Sequence, residues 1–288
     1  MTTGLIKTSD KMAKVITMIE RIKPQFDDRI YLIDYISNNG LLSTGIRANT
    51  KIAKSNLSNQ YRTANLSLLP ARLSGYSVCP FHSHCIMDCI GVFSGMNIYQ
   101  SAIRSKLAKT LFLQYYPEDF IQILIREIGR FQKLCRKSKI LPAIRLNTYS
   151  DILWERKFPI IFSEFPSIQF YDYSKVYHRR FSELPANYDL TYSGISSVHD
   201  SIEKISQLAD NSRVSIVVSN DIFKRYFDSL GEGEYIRNGD IRYYNGDLDD
   251  MTFRYPRDKT ILVLREKSTF KITGTNPLVY RDKSILGL

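Results

Sequence analysis

Long apolar runs are missing from this chain: no stretch of eighteen or more apolar residues occurs in its 288 residues, which argues against a membrane-crossing helix. The N-terminus, MTTGLIKTSDKMAK, has no apolar segment of signal-peptide length, so an unsecreted, cytoplasmic protein is expected. Cysteine is scarce. Cys79, Cys85 and Cys89 stand together and Cys135 stands apart, a usage that argues against a disulfide framework and points to a reducing compartment. Acidic residues are in deficit, 29 against 40 basic, and the resulting charge of +11 favours contact with a polyanion. Internal repeats and low-complexity tracts are absent. What is present, a hydrophobic content of 43%, fills a globular core and excludes disorder as the default.

Residues 1–60 read as an N-terminal helical arm and loop. Lys11 to Ile36 mixes apolar and charged positions, Pro24 interrupts it, and Ser37 to Asn59 is polar. Residues 61–288 read as one βα domain. NLSLLPARL is a strand candidate, the cysteine loop follows it, and SAIRSKLAKTLFL and EDFIQILIREIGRFQKLCRKSK have helical spacing. Past Pro142 the strand candidates AIRLNTY, IQFYDY, YDLTYS and RVSIVVS alternate with helical segments around Trp154, Phe162, Val198 to Leu208 and Ile222 to Leu230. That alternation predicts a parallel sheet, open or as an incomplete (β/α) barrel. Asn245-Gly246 predicts a C-terminal β-hairpin turn before the apolar run TILVL. In a parallel sheet the carboxyl ends of the strands share one rim. Asn147, Ser150, Asp151, Asp172, Tyr173, Lys175, Ser193, Ser219 and Asn220 fall there, with the cysteine loop.

Five residues separate Cys79 from Cys85 and three separate Cys85 from Cys89. Paired CxxC or HxxxH knuckles, usual in zinc fingers, are absent, although His82 or His84 could complete a tetrahedral zinc site with the thiols. The spacing favours a loop wrapped round a cubane cluster, three thiolates binding three irons and leaving the fourth open. Zinc and unligated thiols remain the alternatives. Cys135 falls with Phe131 and Leu134 on an apolar helical side and reads as a core residue. His178 and His199 are isolated, and read as structural or exposed.

NTKIAKS from Asn49, LLPARLSGYSVCP running into the cysteine loop, KTLF, AIRLNTYSDILWE, FYDYSKV and YDLTYS, in that order, resemble the phage family of "gene product eighty-eight"-like proteins. The likeness runs from Asn49 to the segment NGDLDD, and the cysteine loop is one residue shorter between its first two cysteines than the family's. The layout is more distantly similar to radical S-adenosylmethionine (SAM) proteins. That resemblance implies an incomplete barrel whose first loop holds a [4Fe-4S] cluster, here through Cys79, Cys85 and Cys89, with the open iron taking the amino acid end of SAM. The usual spacing there is CxxxCxxC, and the glycine-rich GGE motif is replaced here by LNTYSD. It also implies cofactor contacts: Asn147 on the rim, Ser150 and Asp151 in place of the missing motif, Lys175 against a carboxylate, and Tyr173 and Ser193 as hydrogen-bond donors. Asp151 has an ordinary reading too, as the cap of the next helix. A phage origin would place the protein in the host cytoplasm.

Nucleic acid is the candidate partner, met by basic helices over residues 104–139 that carry Arg104, Lys106, Lys109, Arg126, Arg130, Lys133, Arg136, Lys137 and Lys139. A solvated helix face explains the same run. Asp247, Asp249 and Asp250 read as a solvated turn rather than a cation site. Tyr171, Tyr173 and Tyr177 near one rim lack the paired histidines that would activate a tyrosine nucleophile. Two function classes follow: a radical-SAM-like iron-sulfur enzyme acting on nucleic acid, or a non-catalytic nucleic-acid-binding protein with a structural iron-sulfur or zinc site.

Overall fold

The computed structural model describes residues 3–44, 60–80, 82, 85–86, 89–93, 99–177, 179, 183–195, 199–210, 212–266 and 278–287, with side chains from Met12 onward. His84 and His178 lie outside these residues. The chain is mixed α/β. Ten strands form one open sheet: β1 (Leu42–Ser43), β2 (Tyr61–Leu66), β3 (Leu141–Arg145), β4 (Gln169–Ser174), β5 (Tyr188–Ser193), β6 (Arg213–Val218), β7 (Tyr235–Asn238), β8 (Ile241–Asn245), β9 (Thr260–Arg265) and β10 (Val279–Tyr280). Their order is β1-β2-β3-β4-β5-β6-β9-β8-β7, with β10 on β6 off this path. Every pairing from β2 to β8 along that path is parallel; β1 and β7 are antiparallel edges.

Helices occupy the connections: α1 (Thr3–Ile22), α2 (Arg29–Asn39), α3 (Ile90–Phe93), α4 (Gln100–Tyr115), α5 (Pro117–Lys137), α6 (Trp154–Lys157), α7 (Ile160–Ser163), α8 (Ile202–Ala209) and α9 (Asn220–Tyr226). The longest shows why it forms. Pro117 opens α5, Glu118 and Asp119 sit in its first turn and Arg136 and Lys137 in its last, each complementing the helix dipole. Phe120, Ile121, Leu124, Ile128, Phe131 and Cys135 bury one side of it. Cys135 is thus the expected core residue, whereas Leu134 is 41% exposed and off the apolar side.

Strand alternation gives the sheet two different faces. Ile144, Phe170, Leu190, Val214, Ile216 and Ile261 join the cores that contain Leu111, Leu124 and Ile128 at one end and Ile205 and Phe223 at the other. The opposite face carries Arg145, Tyr171, Tyr173, Asp189, Thr191 and Arg213. Residues 246–258 cross it, and the 3-10 turn Thr252–Arg254 packs on β4 and β5. This polar face is buried: Tyr171, Thr191 and Arg213 are all at 0% exposure.

Several expectations need correcting. The strand before the cysteine loop is Tyr61–Leu66, not NLSLLPARL; past it the backbone turns at Ala71, whose φ of 57° takes a non-glycine residue out of extended geometry. Asn245-Gly246 is not a hairpin turn. The hairpin joins β7 to β8 through Gly239 and Asp240, and β8 pairs in parallel with β9. The polar stretch from Ser37 includes the end of α2 and the edge strand β1; residues 45–59 lie outside the described ones. The arm is packed in, since Val15, Ile19, Ile22, Phe26, Leu32 and Ile36 share the core of the first half of the sheet. That packing also breaks the basic run. With α1 and α2 on one side and α5 on another, α4 buries Lys106 and Lys109, and Arg104 lies against Phe26, Tyr31 and Tyr35. Among the described residues no helix is long and apolar enough to cross a membrane.

Candidate functional site

The cysteine loop leaves β2 and lies over the carboxyl ends of β3 and β4. Its first ligand candidate is held from both sides: Cys79 Sγ accepts from Ala71 N and donates to Tyr149 O, each at 3.4 Å. Val78 N donates to Ala71 O at 3.1 Å, and Val78 O accepts from Asp151 N at 2.8 Å. His82 Nδ1 is 2.9 Å from Cys79 O. A carbonyl only accepts, so this nitrogen carries the proton. Cys89 opens α3, where Gly91 lies so close to Tyr149 that a Cβ would stand 2.7 Å from the ring's Cγ. The buried Lys106 ammonium donates to Gly91 O and lies 5.3 Å from the centre of the Tyr149 ring.

The three thiols share one electrostatic neighbourhood. Burial pushes Cys79 up to about 12, and Cys89 and Cys85 add to the rise. Burial pushes Cys89 up to about 11, Cys85 adds to the rise, and Lys175 and Lys106 oppose it. Lys106 itself is lowered to about 8 by burial, with Cys89 pulling the other way. Thiols of this kind ionise when a cation neutralises them. Four tetrahedral zinc ligands would bring sulfurs to about 3.8 Å of each other, from a zinc-sulfur bond of about 2.3 Å. Among the described residues no group of three or more histidine, cysteine, aspartate or glutamate side chains is gathered closely enough to hold a metal ion. A cleft of ≈ 420 Å³ opens beside the loop, lined among others by Tyr76, Ser77, Pro80, Asp151, Arg156 and Lys157.

The rim residues anticipated as cofactor contacts lie together, and most are engaged internally. Asn147 Oδ1 accepts from Ser150 Oγ at 2.8 Å, Ile152 N at 2.9 Å and Trp154 Nε1 at 3.1 Å, and Asn147 Nδ2 donates to Ile152 O. Asp151 does not cap the next helix. It accepts from Ser174 Oγ at 2.8 Å, Lys175 N at 2.7 Å and Arg179 Nη1 at 3.3 Å. Tyr173 lies under the Arg145 guanidinium at 4.8 Å, and Ser193 O accepts from Tyr177 OH at 2.8 Å. Burial raises the phenols of Tyr171, Tyr173 and Tyr177 above their ordinary value, the wrong direction for a nucleophile. Asp249 and Asp250 are buried and ion-paired to Arg254 and Arg145, so the acidic turn is not simply solvated. His199 is buried beside Tyr177, with ring centres 4.5 Å apart. Tyr149 and Arg179 were not singled out in the sequence, and Lys106 only as one residue of the basic run; their partners come from remote strands and helices.

Asp172 ends the network at the centre of the rim, accepting from Asn147 N at 2.7 Å and Tyr188 OH at 2.9 Å. Burial pushes it up to about 7 against the pull of Arg145, the Asn147 N–H and Tyr188. In the unfolded chain this carboxyl ionises near ~3.9. The unfolded state therefore loses its proton first as pH rises, and stability contributed by this group falls between about pH 4 and pH 7, then levels off. Asp172→Asn cannot ionise. Urea denaturation should show the variant gaining on the native protein across that window, by at most about 4 kcal/mol; a constant difference over the window would disprove the assignment.

No curated protein and no solved structure matches this chain. One family does: the family described as Gene product 88 matches residues 41–277, a span that takes in the cysteine loop and every sheet strand from β1 to β9 and leaves α1 and α2 outside. The chain belongs to the gene product 88 family.

Proposed function

We propose that this chain is an iron-sulfur protein in which Cys79, Cys85 and Cys89 hold a [4Fe-4S] cluster at the carboxyl rim of the sheet. The observation that carries this reading is the nearness of three half-buried thiols, Cys85 and Cys89 both bearing on Cys79 and Cys85 on Cys89, with Lys106 and Lys175 also bearing on Cys89. Soft sulfur donors suit iron, and two ammonium groups offset the negative charge that three thiolates bring. Bound there, a cluster would supply one-electron transfer beside the cleft. The chain's own part is to fix the loop through Val78 and Asp151 and to present Arg156 and Lys157 at the cleft. The strand, cysteine loop, helix order supports a partial barrel of radical-SAM type. The positions offered to SAM do not fit as well: the polar atoms of Asn147, Ser150 and Asp151 are taken by internal hydrogen bonds, and no step is derived through SAM. Anaerobic reconstitution followed by iron and sulfide analysis tests the reading. About four irons and four sulfides per chain, with broad absorption near the violet, are expected; a colourless chain holding one zinc would refute it.

Nucleic-acid contact is the second part of this reading, and it rests on α5 alone. Arg126, Arg130, Lys133 and Lys137 are exposed, spaced by four, three and four residues on one face about 16 Å long, and none pairs with a carboxylate among the described residues. Glutamate at all four positions should weaken duplex DNA binding at least a hundredfold. The native chain should show a slope of log affinity against log salt near −3.6, about −0.9 per phosphate contact. Binding unaffected by the four substitutions would remove α5 from the interface.

A further inference from the structure

The strap, residues 246–258, runs from the end of β8 across the polar face of the sheet and is held there by side chains. Phe253 meets the Tyr61 and Tyr171 rings edge-on, both at 5.1 Å. Arg257 reaches Asp189 at 3.2 Å, and Arg213 donates to Tyr255 O at 3.3 Å. Asp249 and Arg254 pair within the strap itself.

The fourth attachment is of a different kind. Arg145 closes β3 at the rim, and its Nη1 donates to Asp250 Oδ2 at 2.8 Å. Its Nε is buried without a hydrogen-bond partner and stands 3.9 Å from Asp172 Oδ1. Ile144 pairs with Phe170, so Arg145 and Tyr171 follow side by side on the polar face. Tyr171 is wholly buried and its hydroxyl has no hydrogen-bond partner. Burial pushes its phenol well above the ordinary value, with Asp250 adding to the rise and Arg145 opposing it. On the strap side the Thr252 hydroxyl, also buried, is unpartnered as well. The sheet thus presents two buried donors beside Asp250 that make no hydrogen bond, the Arg145 Nε and the Tyr171 hydroxyl, a costly arrangement in a packed interior.

We propose that Arg145 and Tyr171 form an oxyanion seat at the rim, filled in the resting chain by the strap's own Asp250 and taken by a small phosphate- or carboxylate-bearing ligand when the strap lifts. A planar guanidinium takes such groups through two parallel bonds; the Arg145 Nε makes no hydrogen bond, with Asp172 as its ion-pair neighbour, and the phenol adds a third donor. The resident aspartate competes with the ligand from within the chain, so the apparent affinity is lowered by the fraction of closed strap. This inference uses no cysteine and does not depend on the cluster.

The test is calorimetric titration of the full chain with inorganic pyrophosphate and, separately, with citrate. Asp250→Asn should bind one of the two probes at least tenfold more tightly than the native chain, and the preferred probe identifies the ligand class. Adding Arg145→Met to that variant should abolish the gain. Should Asp250→Asn fail to fold, hydrogen exchange on the native chain decides: a saturating probe should speed amide exchange across the strap and leave β3 and β4 unchanged. Equal affinity of the native chain and Asp250→Asn, a gain that survives Arg145→Met, or strap exchange unmoved at saturation would overturn the proposal.

Discussion

Alanine at Cys79, Cys85 and Cys89 together is expected to reduce iron and sulfide uptake from a full cluster to none, while Cys135→Ala leaves uptake intact. The contrast follows from position. Cys135 lies in the core on α5, at 0% exposure, and loses only a sulfur's worth of packing, about 1 kcal/mol or less. The other three sit half-buried, where Cys85 and Cys89 raise the cost of ionising Cys79 and Cys85 that of ionising Cys89. The expected failure of uptake must be separated from failure to fold, and the loop itself provides the means. Cys79 makes two weak sulfur hydrogen bonds, to Ala71 N and Tyr149 O; a serine at that position keeps a donor and an acceptor but cannot act as a soft ligand. Cys79→Ser should therefore melt within a few degrees of the apo native chain and still take up little or no iron. Full loading of the triple alanine variant, read by iron and acid-labile sulfide per chain, would end the cluster reading.

The parts of this molecule legible in its sequence are those written in local pattern. IQFYDY, YDLTYS and RVSIVVS became β4, β5 and β6 because alternating aromatic and β-branched residues fit a pleated, buried surface. The three cysteines were legible because their chemistry is unusual wherever they are placed. Asn245-Gly246 misled for a physical reason. Gly246 is required by close approach, since a Cβ would stand 2.9 Å from the Leu264 side chain and 3.1 Å from that of Leu262, and Asn245 donates its amide to Phe227 O. The pair serves packing between β8 and β9 where a hairpin turn was expected. Lys106 and Lys109 misled for another reason: whether a lysine faces water depends on what packs over its helix, and the buried Lys106 ammonium is met by Gly91 O and the Tyr149 ring, groups remote from it in the chain. Arg145 and Arg179 gave no local sign of their roles because their partners, Asp250, Asp151 and Glu155, are defined by the fold.

Arg179→Met is expected to remove about 3–5 kcal/mol of stability, the largest loss from a single substitution at the rim. Arg179 is 2% exposed and holds Glu155 through two bonds, from Nε at 3.2 Å and Nη2 at 2.8 Å. Its Nη1 also reaches Asp151 at 3.3 Å and Ser174 Oγ at 3.2 Å. Removing the guanidinium leaves two buried carboxylates facing each other without a cation, which is the costly half of breaking a buried ion pair. Replacing the acids as well, with Asp151→Asn and Glu155→Gln added to Arg179→Met, should restore much of the loss, because no uncompensated charge then remains. The same variants report on the cysteine loop. Asp151 N holds Val78 O, one residue before Cys79, so a displaced Asp151 releases the backbone beside Cys79. Arg179→Met should accordingly lose iron faster to a chelator than the native chain at a temperature where both are folded, and the triple variant should recover part of that retention. A denaturation midpoint within 1 kcal/mol of native for Arg179→Met would show that the rim network is not what fixes the loop, and would shift that role to Ala71 and Tyr149, the two groups bonded to the Cys79 sulfur itself.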